Sequence, residues 1–323
     1  MGNAEGLYNA FFLSWINNAK MQNSRGKPLL YMKISLFMYF VIHIFKQSAN
    51  KINQMKKLGY LFLAVTLWSC STTKNINNRS EKWITLFNGK DIKDWNVKIH
   101  HHDYNVNYGN TFRVEDGTIQ VRYDQYGDFN DQFGHLYYKT PFSYYHLKLK
   151  YRFVGELQKG APSYTLRNSG VMFHSQDPKT MPKEQDWPIS IEMQFLGGLS
   201  DGRPRPTGNM CSPGTEIFYN GSKFPGHCLD SKSKTYDGDQ WVSAELIVMG
   251  DSIVKHIING DTVLQYNKPQ IGGGVANRFD PKIKIDGKAL TQGFIALQSE
   301  GQPVDFKDIQ IMELPRHNNK KSN

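Results

Sequence analysis

The sequence predicts an all-β fold, a jelly-roll β-sandwich of two antiparallel sheets in a single domain over residues 83–314. Three observations carry that expectation. Apolar and polar residues alternate with period two in roughly a dozen short segments, which puts each set on one side of a sheet. Turn residues separate the segments, and no amphipathic helical period replaces them. Many short strands with polar connections favour a sandwich or jelly roll.

In chain order the expected strands are Trp83–Phe87, Thr111–Glu115, Thr118–Tyr123, His135–Lys139, Tyr144–Val154, Gly170–Ser175 and Ile189–Leu196. Thr215–Tyr219, Trp241–Met249, Ile253–Asn259, Thr262–Tyr266, Gly293–Gln298 and Val304–Glu313 follow. Glu115-Asp116-Gly117 and Asn259-Gly260-Asp261 mark tight turns, where glycine accepts the positive φ that the geometry demands. The stretch 197–234, rich in Gly, Pro and Ser, is too long for a hairpin and is expected to form a loop overhanging a binding face. No internal repeat and no second composition zone divides the domain.

The net charge of +10 over 323 residues resembles a nucleic-acid signal, but its placement argues against one. Residues 1–70 hold eight Lys/Arg against one acid, Glu5, whereas the remainder carries 31 bases and 28 acids. A nucleic-acid binder concentrates charge on its folded domain. From Met55 the chain reads MKKLGYLFLAVTLWSC: a basic start, then an apolar run too short for the ~20 residues of a membrane span. Residues 55–69 therefore read as a signal peptide. Its Leu67-Trp68-Ser69-Cys70 ending resembles the lipobox of bacterial lipoproteins, which implies acylation of Cys70 and a polar tether over 70–82. The expected location is the bacterial cell envelope, periplasmic or at the outer-membrane surface, with the membrane as a partner through the lipid. Residues 1–54, including the apolar Leu29–Phe45, are taken as an upstream extension ahead of the true start at Met55, and 315–323 as a polar tail. The remaining thiols, Cys211 and Cys228, can close a disulfide in an exported domain or stay as two buried free cysteines.

The candidate chemistry lies on polar faces of strands that otherwise look central. Ile191, Met193 and Phe195 alternate with Ser190, Glu192 and Gln194. Ile295 and Leu297 alternate with Gln298 and then Glu300, and Phe173 precedes His174. Lys148 and Lys150 read as a solvated face. Sugar hydroxyls pair with planar groups that donate and accept, and proton transfer at a sugar needs a positioned carboxylate or histidine. Glu192 and His174 are the titratable pair expected on neighbouring strands.

These residues fall within a wider match. Trp83-Ile-Thr-Leu-Phe-Asn-Gly-Lys-Asp-Ile-Lys-Asp-Trp95 resembles the opening of the 3-keto-disaccharide hydrolase family, formerly a domain of unknown function. The resemblance continues through Phe112–Gly117, Tyr151–Phe153, Asn168–Met172, Ile191–Gln194, Asn259-Gly260, Gly293–Gln298 and Val304–Ile309. It implies the concanavalin A-like lectin/glucanase jelly roll and an enzyme acting on glycosides oxidised at C3. The ketone acidifies the C2 proton, so a base removes it and the enolate expels the C1 substituent. The resemblance implies Glu192 or His174 as base, and Arg152 or a divalent cation as enolate stabiliser. Asn168, Gln194, Gln298, Glu300 and Trp187 are expected to bind the oligosaccharide or glycoside. Where many relatives continue with His-Gly after the Gln298 position, this chain has Ser299-Glu300-Gly301.

For a metal, His174, Glu192 and His227 are a candidate set suited to Zn or Mn. His100-His101-His102-Asp103 reads instead as a polar loop, since consecutive strand residues cannot all face one ion. The alternative to an enzyme is a carbohydrate-binding, lectin-like envelope lipoprotein of the same fold, which needs aromatic platforms such as Trp187 but no acid–base pair. Trp241 is expected in the core.

Overall fold

Alternation of side chains becomes two sheets in the computed structural model, which describes residues 82–316. The upstream extension, the signal peptide, Cys70 and most of the tether lie outside the described residues. The strands are β1 Ile84–Thr85, β2 Trp95–Ile99, β3 Phe112–Glu115, β4 Thr118–Val121, β5 Gly134–Tyr138 and β6 Tyr144–Phe153. Next come β7 Asn168–Ser175, β8 Ile191–Leu196, β9 Asn209–Cys211, β10 Thr215–Tyr219, β11 Ser222–Lys223 and β12 Cys228–Leu229. The last five are β13 Val242–Met249, β14 Ile253–Ile258, β15 Asp261–Ile271, β16 Phe294–Ser299 and β17 Val304–Glu313.

One sheet has ten strands in the order β11-β10-β15-β14-β13-β6-β17-β4-β3, with β1 also on β17; the other has seven, β12-β9-β8-β7-β16-β5-β2. Every strand pairing is antiparallel. The architecture is the jelly-roll sandwich. Two tight turns behave as their sequences demand. Glu115 pairs with Thr118 around Asp116 and Gly117, and Ile258 pairs with Asp261 around Asn259 and Gly260; all four turn residues have positive φ.

The core lies between the sheets. Leu136, Phe173, Phe195 and Leu297 from the seven-stranded sheet meet Tyr145, Leu147, Tyr151, Phe306 and Ile311 from the ten-stranded one. Tyr151 stacks on Phe195 at 4.0 Å between centroids, with its hydroxyl on Thr207 at 2.7 Å. Each such side chain contributes about 1.5–3 kcal/mol through burial.

The segment 197–234 is not the overhanging loop its composition suggested. It gives β9 and β12 to one sheet and β10 and β11 to the other, because the short apolar stretches Met210-Cys211 and Ile217-Phe218 find open sheet edges to pair with. Cys211 and Cys228 are joined as a disulfide between the paired strands β9 and β12. Trp241 is half-buried rather than in the core, with Arg152 and Lys307 over its ring at 4.7 and 4.0 Å.

Candidate active site

Because Ile191, Met193, Phe195, Val171, Leu297 and Leu136 point into the core, their alternate neighbours point out of the seven-stranded sheet. The registers line these neighbours up in rows. Lys98 pairs with His135 and His135 with Gln298. Gln298 follows Leu297, the partner of Val171, and so lies beside Gly170. Gly170 pairs with Gln194 and Gln194 with Asn209. One polar row thus crosses six strands, with a glycine at its middle. In the adjoining row Met172 pairs with Glu192 and Glu192 with Cys211. Asn168 and Glu300 flank the polar row on its other side.

The gap at Gly170 is filled by Glu192. A Cβ there would stand 2.5 Å from Glu192 Oε1. Glu192 is 7% exposed and Glu300 5%, so both carboxyls are nearly withdrawn from water. Burial pushes Glu192 well above the usual carboxylate range, and the Glu300 charge adds to the shift; burial pushes Glu300 up as well. Gln298 Nε2 donates to Glu300 Oε1 at 3.1 Å, Asn209 Nδ2 to Gln194 Oε1 at 3.2 Å, and Asn168 Nδ2 to the Tyr164 carbonyl at 3.3 Å. What these groups leave over is uniform in kind. Glu192 Oε1, Glu300 Oε2, Gln298 Oε1 and Asn168 Oδ1 are buried acceptors without a donor. Such groups are costly unless a ligand satisfies them, and sugar hydroxyls supply the donors.

His135 stands at the other end of this face, buried, with neither ring nitrogen paired. Burial, reinforced by the Lys98 charge, pushes it down to about 3, so it is neutral at physiological pH. Lys98 is held by the carbonyls of Ile99, His102 and Lys183, and burial brings its ammonium down to about 8. Two aromatic groups border the face. Trp187 lies edge-on to His135 at 5.7 Å, and Tyr164 is 59% exposed, its phenol pushed up by burial and by the Glu300 charge.

The structure brings Glu192, Gln194, Gln298, Glu300 and Asn168 onto one face, with Trp187 beside it. Arg152 and His174 are not with them. Arg152 belongs to the outward face of β6 in the ten-stranded sheet, where its Nε donates to Asp305 Oδ2 at 2.9 Å. A full sandwich, with sheets about 10 Å apart, separates it from Glu192. His174 sits at a bulge with φ 47°, where the β7–β16 register shifts. The extra residue turns its ring toward the other sheet, and Nε2 donates to the Gly250 carbonyl at 3.0 Å. Alternation failed there because a bulge breaks the period. The set His174, Glu192 and His227 is likewise not brought together: His227 lies by Cys211 and Cys228, whose sulfurs are spent on the disulfide. Sequence reasoning missed His135, Lys98 and Tyr164. Polar residues flanked by apolar ones in Trp95-Asn-Val-Lys-Ile99 and Gly134-His-Leu136 were the available signal.

Fold and site together define a jelly-roll protein whose seven-stranded sheet carries a row of buried polar groups on its outer face. The model of the 3-keto-alpha-glucoside-1,2-lyase-like domain matches residues 82–312; the chain belongs to that family and is at this level a carbohydrate-active protein. No curated protein sequence matches it. Among solved structures it is similar to a provisionally assigned glycosyl hydrolase from Parabacteroides distasonis, with 19% identity, TM-score 0.45, and coverage of 74% of this chain and 97% of that one. A protein with a galectin-like fold from Bacillus subtilis gives 12% identity, TM-score 0.43, and 73% and 96% coverage. A carbohydrate-binding module from Bacillus subtilis gives 10%, 0.38, and 68% and 96%.

Proposed function

We propose that the protein cleaves glycosides already oxidised at C3, by proton abstraction at C2 and elimination of the C1 substituent. The observation that carries this reading is the buried carboxyl pair Glu192 and Glu300, each with an oxygen that has no partner. Two carboxyls that resist ionisation together divide into a base and an acid. Glu192 takes the C2 proton, the C2–H electrons form the enolate, and protonated Glu300 hydrogen-bonds the enolate oxygen. Collapse of the enolate breaks the C1–O bond, and the departing oxygen takes the proton from Glu192. Water addition to the resulting enone completes a hydrolysis; release without it is a lyase reaction. Gln298, Asn168 and Gln194 bind the sugar hydroxyls, and Trp187 and Tyr164 border its rings. A divalent cation is not required by this scheme. We also infer export and lipid anchoring at Cys70, a reading that the Cys211–Cys228 disulfide supports, since disulfides persist in oxidising compartments.

The test is to incubate the protein with a 3-keto-disaccharide and its unoxidised parent, wild type beside Glu192→Gln. Turnover of the keto sugar alone, abolished in the variant, is expected. Undiminished turnover in Glu192→Gln removes that residue from the mechanism, and binding without cleavage of either sugar makes the protein a lectin.

A further inference from the structure

The turn that follows β2 holds a second group of chemically competent side chains, outside the carboxyl pair and independent of it. His100 Nδ1 lies 2.8 Å from the Asp131 carbonyl. A carbonyl only accepts, so Nδ1 carries the ring proton and Nε2 presents a lone pair. That Nε2 is buried and has no partner. A histidine whose one nitrogen donates to a backbone carbonyl while the other offers a free lone pair has the tautomer and orientation of a metal ligand. His101 stacks on His100 with centroids 3.6 Å apart, and its Nδ1 is 2.7 Å from Glu184 Oε2. One ligand atom from each of His100, His101 and Glu184 falls within 4.8 Å of the others. The chain reaches this arrangement by leaving the strand: His101 adopts φ 70°, which brings two consecutive histidines to one side, as an extended segment does not.

We propose that His100, His101 and Glu184 form a site for a divalent transition metal of the Zn2+ type, stapling the turn after β2 to the segment that precedes β8. Two imidazoles and a carboxylate suit Zn2+, with a fourth position for water. The 2.7 Å contact of His101 with Glu184 opens to roughly 3.3 Å when an ion at about 2.0 Å from each ligand replaces the shared proton. Neighbouring groups favour this composition. His102 is excluded, since its Nε2 faces Gln132 Oε1 at 2.7 Å and its ring stacks on Tyr108. Asp103 lies 4.0 Å from Lys183.

The two segments already touch through the main chain. His101 N–H donates to the Lys183 carbonyl at 3.0 Å, and Lys98 Nζ donates to both the His102 and Lys183 carbonyls. An ion would add a side-chain staple to that seam, which closes over Lys98 at the His135 end of the candidate active site. Its role is to stiffen the border of the site rather than to take part in chemistry.

The experiment titrates the full chain with Co2+, followed by its visible bands, and with Zn2+ by calorimetry. Wild type is compared with His101→Asn, which retains the left-handed backbone, and with Glu184→Gln, an exposed change that keeps the fold. One equivalent of metal is expected in wild type, with affinity lowered at least about tenfold in each variant. Zn2+ should raise the melting temperature of wild type and of neither variant. Equal affinity in all three proteins, or no saturable binding by wild type, overturns the site. Neither result bears on cleavage of a keto sugar, which is measured separately.

Discussion

Gly170 and Glu192 occupy one volume between them: the hydrogen of the glycine leaves the space in which the carboxyl of Glu192 lies. A methyl at position 170 would meet Glu192 Oε1 at 2.5 Å, its Cγ at 2.9 Å and the Met193 carbonyl oxygen at 3.0 Å. The side chain can swing away and the carbonyl cannot. Gly170→Ala should therefore destabilise by about 1–3 kcal/mol through overpacking. A carboxyl displaced by roughly 1 Å should lower keto-sugar turnover about 100-fold. Thermal melts and steady-state rates on the same preparation check both; a variant with normal rates would separate the glycine from the positioning of Glu192.

The carboxyl pair also leaves a signature in stability. Glu192 has a raised pKa when folded and an ordinary one, about 4.5, when unfolded. Below that value both states hold the proton and nothing is lost. Above it the unfolded chain releases the proton first, so stability declines as pH rises through the interval up to the folded value, at about 1.4 kcal/mol per pH unit. Glu192→Gln removes its ionisation and should reduce this decline, leaving the part that the raised Glu300 contributes. Denaturant titrations from pH 4 to 9, as a rough span around the carboxylate and imidazole ranges, measure the slope; identical slopes in the two proteins would contradict the assignment.

Glu300 raises Glu192 through its charge, in addition to burial. In the proposed scheme Glu300 works protonated, and a glutamine there also donates a hydrogen bond but cannot ionise, so Glu300→Gln should keep most of the maximal rate and lose the basic limb of the kcat/KM profile. A pH–rate profile of the variant reads both effects at once. A basic limb that stays in place would mean that Glu300 does not supply the proton that the reaction needs.

Arg152 offers the contrasting case. Arg152→Ala should leave turnover within about twofold of wild type, since the guanidinium and the polar row lie on opposite outer faces of the sandwich, farther apart than the roughly 10 Å between its sheets. Its cost appears in stability. Asp305 is fully buried and shared between Arg122 Nη2 at 2.5 Å and Arg152 Nε at 2.9 Å, and it would keep only the first. A loss of about 1–3 kcal/mol in equilibrium unfolding is expected.

The sandwich was legible because its strands alternate cleanly. Tyr144–Phe153 and Val242–Met249 show one buried and one partly exposed set, and the turns at Gly117 and Gly260 announce themselves. The strand β2 was not legible, because a charged Lys98 in its middle imitates a loop; only the three carbonyls around its ammonium explain its burial. The site was readable in part for the same reason the fold was: period two sends Glu192, Gln194 and Gln298 to one face wherever the strands are regular. It misled at His174, where one inserted residue at a bulge reverses the direction of the ring. It misled at Arg152 because a pattern of alternation names a face without naming the sheet.

The final strand β17 lies between β6 and β4, in the interior of the ten-stranded sheet rather than at its margin. A growing polypeptide that has not yet delivered Val304–Glu313 holds two half-sheets with unmatched borders and no closed interior. Completion of this sheet must therefore wait for β17, and the distant pairings it then makes set a slow pace. Until that moment the nascent molecule offers bare strand edges to its neighbours, which makes clumping, rather than unfolding, the hazard its host has to manage.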